Sequence, residues 1–305
     1  MNTASTELPL ISILINNFNY ARYVGEAIES ALAQDYTRVE VVVVDDGSTD
    51  DSRDVIAAFG NRVRAVFQAN AGQASAFNTG FAACEGNVIC LLDADDRFRV
   101  SKASIVANAY VAHPRAQWVF HPLALFGDVT SGGHAPESAV DAVIDARSDI
   151  RRGRLRLTLP ATSGLTFHRS LLAQLLPMPE EIRITSDNYL KFSALGISPG
   201  MLMGAVAAEQ RIHATNAYTL NAKADSLRAE IAMRTAFHLR INFPEIARFA
   251  HGVFAQGASQ WLFTSPRAPG GRRIAARYVR DLDPLAMAEV VARSSLSVVR
   301  RVASL

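Results

Sequence analysis

Three carboxylates fall within four positions, Asp93-Ala94-Asp95-Asp96, directly behind the apolar run Val88-Ile89-Cys90-Leu91-Leu92. Acids this close repel one another and are costly to bury unpaired. A hard divalent cation offsets that cost. Mg²⁺ and Mn²⁺ take oxygen ligands and often keep waters and substrate phosphates in their shell. The cluster therefore predicts a metal that holds a phosphorylated substrate. Two further polar clusters also follow apolar runs: Asn16-Asn17-Phe18-Asn19 behind Leu10–Ile15, and Asp45-Asp46-Gly47-Ser48-Thr49-Asp50 behind Val39–Val44. Read alone, the second is also an ordinary turn with helix-capping residues.

The elements that must position these residues follow from hydrophobic spacing. Leu10–Ile15, Val39–Val44, Val63–Phe67 and Val88–Leu92 read as buried strands. Tyr23–Leu32, Asp51–Phe59 and Ala74–Cys84 read as helices between them. Such alternation predicts a parallel sheet with helices on both faces. Ligands of such sheets bind outside the carboxyl ends of the strands, where the three polar clusters lie. Phe126–Arg156 reads as an irregular stretch with a short helix, and Leu157–Phe167 as strand-like around Thr162-Ser163-Gly164. Ser186-Asp187 precedes a helix over Tyr189–Leu195, and Gln210–Asn216 carries Arg211 and His213. From Lys223 the chain reads as helical and rich in arginine, interrupted at Pro266–Gly271. Gly72 and Gly80 read as backbone devices, a turn and a close helix contact, and Trp118 and Trp261 as core or interface residues.

At 305 residues and 49% hydrophobic content the chain can bury a substantial core. Its net charge of +2 hides an asymmetry: residues 1–220 carry 18 Lys/Arg against 23 Asp/Glu, and residues 221–305 carry 13 against 6. The expected division is thus 1–220, holding the polar clusters, and 221–305, a helical, basic C-terminal extension. Arginines in the extension do not interleave with aromatics in a stacking pattern, so nucleic acid is not an expected partner. The two cysteines, Cys84 and Cys90, read as buried thiols of a reducing compartment. No N-terminal segment has the pattern of a secretory signal, and no apolar run approaches the roughly 20 residues that span a bilayer. A cytoplasmic location is expected, with peripheral contact to the membrane through the helical pattern at Pro284–Leu305. That stretch could equally pack on residues 1–220 or on a second subunit.

The order of motifs resembles the family 2 glycosyltransferases, inverting enzymes of the GT-A fold. The likeness runs from about Leu10 to Asn216. It rests on Ile11–Ala21 (ISILINNFNYA), Val41–Asp50 (VVVVDDGSTD), Asn70–Gly80 (NAGQASAFNTG) and Leu91–Asp96 (LLDADD), with Ser186-Asp187 and Arg211-Ile212-His213. The resemblance implies a Rossmann-like, mostly parallel sheet flanked by helices. It implies a nucleotide-sugar donor, usually UDP-linked, a divalent metal (Mn²⁺ or Mg²⁺), and a saccharide or lipid-linked acceptor of the kind used in polysaccharide or glycoconjugate synthesis.

Mapped onto this chain, the resemblance makes Asp46 the residue that hydrogen-bonds the nucleotide base, and a carboxylate suits the imide N–H of uracil because it only accepts. It places Asn17 and Asn19 in the loop lining the nucleotide pocket. Asp95 becomes a direct metal ligand, and Asp93 a contact to ribose or to a metal-bound water. Asp96 assists or caps the following turn. His213 contacts the diphosphate or completes the metal shell, and Asp187 is the general base.

The chain departs from the family pattern at four places. Asn16-Asn17 stand where Pro-Thr is frequent, Phe77 where an Arg often precedes Asn78, Val100 where a Pro is common, and Ser186 where Glu often precedes the base. A nucleotidyltransferase would share the sheet and the acids, but Asn16–Tyr20 lacks the Gly-rich, basic phosphate loop of that class. A nucleotide-sugar-binding protein without turnover is the non-enzymatic alternative.

Overall fold

The computed structural model describes residues 8–128, 141–213, 224–264 and 269–302. The chain divides into two compact units: residues 1–145, 158–183 and 198–213 form the first, and residues 146–157, 184–197 and 214–305 the second.

In the first unit, β1 (Ile11–Asn17), α1 (Ala21–Leu32), β2 (Val39–Asp46), α2 (Ser52–Ala57), β3 (Arg64–Gln68), α3 (Gln73–Ala83) and β4 (Val88–Asp93) follow in the expected alternation. β1 lies between β2 and β4, with β3 beyond β2, and all these pairs are parallel. The β-branched runs make strands because both faces are covered, so no polar alternation is needed. Val24, Ala27, Ile28 and Ala31 of α1 recur at helical spacing and are fully buried against one face. On the other side α3 approaches closely at Gly80. A Cβ there would stand 2.3 Å from the Leu14 side chain of β1.

Beyond β4 the simple alternation ends. β5 (Arg97–Phe98), α4 (Lys102–Ala112), β6 (Trp118–Phe120), β7 (Leu123–Gly127) and β8 (Ala142–Ile144) follow, and α5 (Arg147–Arg151) belongs to the second unit. β9 (Leu165–His168) runs antiparallel between β4 and β6, and α6 (Arg169–Leu175) follows it. After α7 (Asp187–Ile197) of the second unit come β10 (Gly200–Leu202), parallel to β6 and antiparallel to β8, and β11 (Ala208–Ile212). The large sheet has the order β3-β2-β1-β4-β9-β6-β10-β8, and β5-β11-β7 form a second, smaller sheet. The strand-like stretch expected from Leu157 narrows to β9, and Thr162–Gly164 forms a 3-10 turn before it. Part of the irregular stretch, 129–140, lies outside the described residues. Trp118 is fully buried and stacks on Phe120, as expected of a core residue.

The core beneath α4 holds a cation. Lys102 is fully buried and donates to Nε2 of His121, whose Nδ1 donates to the Pro122 carbonyl at 2.9 Å. Burial lowers the Lys102 ammonium from 10.5 to about 8. Between pH 8 and 10.5 the unfolded chain then holds a proton that the folded chain has released, so this group makes stability rise with pH across that window. The gain is at most about 3 kcal/mol, at 1.36 kcal/mol per pH unit. The stability of wild type relative to Lys102→Met, measured by urea unfolding, should therefore increase between pH 8 and 10.5. A difference that stays flat with pH would contradict the assignment.

The second unit is helical among its described residues. With α5 and α7 it contains α8 (Ala224–Asn242), α9 (Ala247–Thr264), α10 (Pro269–Arg280) and α11 (Pro284–Val302). Its core gathers Met233, Phe237, Phe254, Trp261, Ile274, Tyr278 and Val290. The Phe254 and Tyr278 rings stack with centroids 3.7 Å apart. The expected interruption at Pro266–Gly271 is corrected in part: Pro269 to Gly271 open α10, because proline is tolerated in a first helical turn. Residues 265–268 lie outside the described residues. Among the described residues no helix is long and apolar enough to cross a membrane.

Candidate active site

Strand register lines up the polar residues. At the carboxyl ends of adjacent parallel strands, Gln68 pairs with Asp46, Asp45 with Asn17, and Asn16 with Asp93. Four segments distant in sequence thus form one polar row across β3, β2, β1 and β4.

Asp45 is the structural acid of its pair. It is fully buried and accepts from the Ser48 amide at 3.0 Å, from Asn17 Nδ2 at 2.8 Å and from Arg53 Nε at 3.1 Å. Burial alone would raise its carboxyl, but the hydrogen bonds of Ser48, Asn17 and Arg53 outweigh it and hold it below the ordinary value. Asp46 accepts from Gln68 Nε2 at 2.7 Å and the Ala71 amide at 2.9 Å on Oδ1, and from the Gly72 amide at 2.8 Å on Oδ2. A carboxylate offers about four acceptor positions, so one remains on Oδ2. Gly72 adopts φ +98°, and a Cβ there would meet the Arg183 backbone at 2.8 Å. Glycine is what lets this loop present its amides to Asp46.

Asn19 stitches the first loop to the second. Its Oδ1 accepts from the Thr49 amide at 2.7 Å, and its own amide donates to Ser48 Oγ at 2.8 Å. Its φ of +58° is one an asparagine tolerates. Asn17 spends its Nδ2 on Asp45 and Ser48, yet its Oδ1 is buried with no partner. Asn16 has both side-chain polar atoms buried without partners. Orphaned buried polar atoms are rare, and three at one strand end fit a site that a ligand or water completes.

The acidic cluster is organised by two distant segments. Asp95 Oδ2 lies 3.0 Å from His213 Nε2, and both residues are buried. The His213 ring packs against Tyr23 at 4.7 Å and edge-on to Tyr20 at 5.8 Å. Asp96 is buried and accepts from Ser163 Oγ at 2.6 Å and from the Arg211 amide at 2.8 Å. Burial, then the neighbouring Asp95 charge, pushes the Asp96 carboxyl up to about 7. Ser163 Oγ also accepts from the Asp93 amide at 3.2 Å. Arg211 Nε donates to the Asp95 carbonyl at 2.9 Å, and its guanidinium reaches Glu26 and lies over Tyr23 and Phe126. β11 pairs with β5, Glu209 opposite Arg97, which brings His213 back to the acids. Among the described residues no group of three or more His, Cys, Asp and Glu side chains converges as a metal cage. Asp95 and His213 are the two side chains here that could serve a metal as ligands. That number suits Mg²⁺ or Mn²⁺, which complete their shells with water and substrate phosphate.

Asp187 belongs to the second unit. It opens α7, where a carboxylate is favoured by the helix dipole, and it is 6% exposed. Lys191, one turn later, donates to its Oδ2 at 2.8 Å. Thr185, two residues earlier, sits at φ +51°. A β-branched residue in that region is an outlier, and such strain gathers at functional sites. Asn19 and Thr185 are the two non-glycine residues with positive φ among the described residues.

Tyr20, Tyr23 and Glu26 around His213 and Arg211, and separately Lys191 beside Asp187 in the second unit, are neighbours that sequence spacing does not reveal. Ser163 is separated from Asp96 by 67 positions, and Tyr23 reads as part of a helix.

An acid-rimmed, nucleotide-type sheet with helices on both faces and a helical C-terminal part is the architecture of GT-A glycosyltransferases. The chain belongs to the family described as Glycosyl transferase family 2, whose sequence model matches residues 12–176, just over half its length. It is 34% identical over 221 residues to an uncharacterized glycosyltransferase of Nostoc sp., covering 71% of this chain and 69% of that one. It is 44% identical over 92 residues to the Escherichia coli chondroitin synthase, covering 29% of this chain and 13% of that one. Among solved structures, S. aureus TarS 1–349 in complex with UDP-GlcNAc superposes with a TM-score of 0.63 at 13% identity, covering 94% of this chain and 89% of that one. The likeness to TarS is one of fold. The protein is a glycosyltransferase.

Proposed function

We propose that the protein transfers a sugar from a UDP-linked donor to a hydroxyl group of a saccharide or lipid-linked acceptor, with inversion at the anomeric carbon and with a divalent metal. The observation that carries this reading is the polar row at the carboxyl ends of β3, β2, β1 and β4, together with the Asp95–His213 pair. Asp46 would accept the imide N–H of uracil at its free Oδ2 position. Asn17, with its unpartnered Oδ1, and Asn19 would line the base and ribose side of the pocket, and Asp93 would face the ribose. Asp95 and His213 would hold Mn²⁺ or Mg²⁺, which when bound offsets charge on the departing diphosphate.

Asp187 would take the proton from the acceptor hydroxyl as its oxygen attacks the sugar C1 on the face opposite the leaving group. This role is carried over from the family motif. The TarS structure with UDP-GlcNAc supports the uridine assignment through its shared fold. An acceptor in cell-surface polysaccharide or glycoconjugate synthesis fits the same class.

A thermal-shift panel of UDP, GDP, dTDP and CMP, each with and without Mn²⁺ or Mg²⁺, tests donor class and metal dependence together. UDP with metal should stabilise most, by about 2.7 kcal/mol when present at 100 times its Kd. The reading fails if no nucleotide stabilises the protein under any of these conditions.

A further inference from the structure

The strongest feature outside the donor site is the pair of helices α10 and α11 in the second unit. On α11, Leu285, Ala288, Ala292, Leu296 and Val299 recur at intervals of three and four, so they share one face. All five are exposed, Leu285 at 83% and Val299 at 63%, whereas Val290 on the opposite side enters the core. The apolar face of this helix therefore points away from the protein. The preceding helix, α10, turns Ile274 and Tyr278 inward. It leaves Arg272, Arg273 and Arg280 exposed and without an ion pair among the described residues. Elsewhere in the unit arginines are engaged, as in Arg248–Glu289–Arg293. Residues 221–305 carry a net charge of +7, from 13 basic and 6 acidic residues.

We infer that α10 and α11 dock the protein onto the surface of an anionic lipid bilayer, α11 lying in the interface with its leucine and valine stripe among the acyl chains. Charge complementarity favours this occupant. Unpaired arginines and an exposed apolar helix face are the two components of reversible interfacial binding. A second copy of the chain fits less well. The stripe is roughly 20 Å long and 10 Å wide. That is on the order of 200 Å², against about 800 Å² per partner at a standard protein interface. The inference does not depend on the donor or on the metal.

Flotation of the full-length protein with vesicles tests it. Phosphatidylcholine vesicles containing phosphatidylglycerol should carry the protein up the gradient, and phosphatidylcholine alone should carry much less. Arg272→Gln, Arg273→Gln and Arg280→Gln together should weaken binding on the order of 100-fold, from about fivefold for each arginine. Leu285→Ser, Leu296→Ser and Val299→Ser together should abolish it. All six positions are exposed, so circular dichroism and UDP-dependent thermal shift should match wild type in both variants. The inference is overturned if wild type does not float with anionic vesicles, or if neither variant changes flotation. It is equally overturned if light scattering shows a dimer that the leucine and valine variant dissolves while vesicle binding is absent, since the stripe is then a subunit interface.

Discussion

Asp95→Asn is expected to reduce UDP-dependent stabilisation in Mn²⁺ to the level seen without metal. The substitution keeps the shape of the side chain. The main-chain contact to Arg211 Nε is untouched, and the amide Oδ1 of the asparagine can still accept from His213, so the fold should persist. What is lost is the negative charge that makes a hard cation favourable at this point. His213→Ala should act in the same direction and less completely, because water can take the place of one nitrogen ligand. Isothermal titration of UDP with and without Mn²⁺, at matched stability, separates metal loss from unfolding. Undiminished metal-dependent UDP binding in Asp95→Asn would remove Asp95 from the metal site. Asp96→Asn is the control for position, since Asp96 is committed to Ser163 and Arg211 and is one residue away.

The first half of the sheet was legible chiefly because β1, β2 and β4 are built on apolar runs of five residues or more, each closed by a polar cluster. β1 to β4 and α1 to α3 lie within a few residues of their expected bounds for that reason. The second half was not. β6, β8 and β10 are three residues long, too short for any period to show. α4 is apolar on most sides because it is buried, and its one charged residue, Lys102, is buried with it. A helix of that kind has no polar face to mark it.

The antiparallel entry of β9 between β4 and β6 depends on pairing partners more than 40 positions away. The site divides in the same way. Asp45, Asp46, Asn17, Asp93 and Asp95 stand at strand ends, and a reader of hydrophobic runs can find them. Ser163, Arg211 and His213 reach the acids only through β9 and the β5–β11 pairing, so their meeting is a fact of topology rather than of spacing. The labour assigned to the acidic cluster also follows from topology. Asp95 faces His213, whereas Asp96 is held by Ser163 and the Arg211 amide.

Asp187→Asn should lower the transfer rate by about 10²–10⁴-fold, the range of general-base assistance, while donor binding stays near wild type. The structure supplies a competing reason for any loss, the buried Lys191 ion pair. Removing one member of such a pair typically costs 3–5 kcal/mol by stranding the other charge. Asp187→Asn alone is thus expected to be both slow and less stable. The double variant Asp187→Asn/Lys191→Met separates the effects, because it removes the stranded ammonium and restores stability without restoring a base. If Asp187 takes the acceptor's proton, the double variant melts near wild type, binds UDP with metal normally and remains slow. Recovery of the rate along with stability in the double variant would make Asp187 a helix-capping partner of Lys191 and would move the search for the base to other acids.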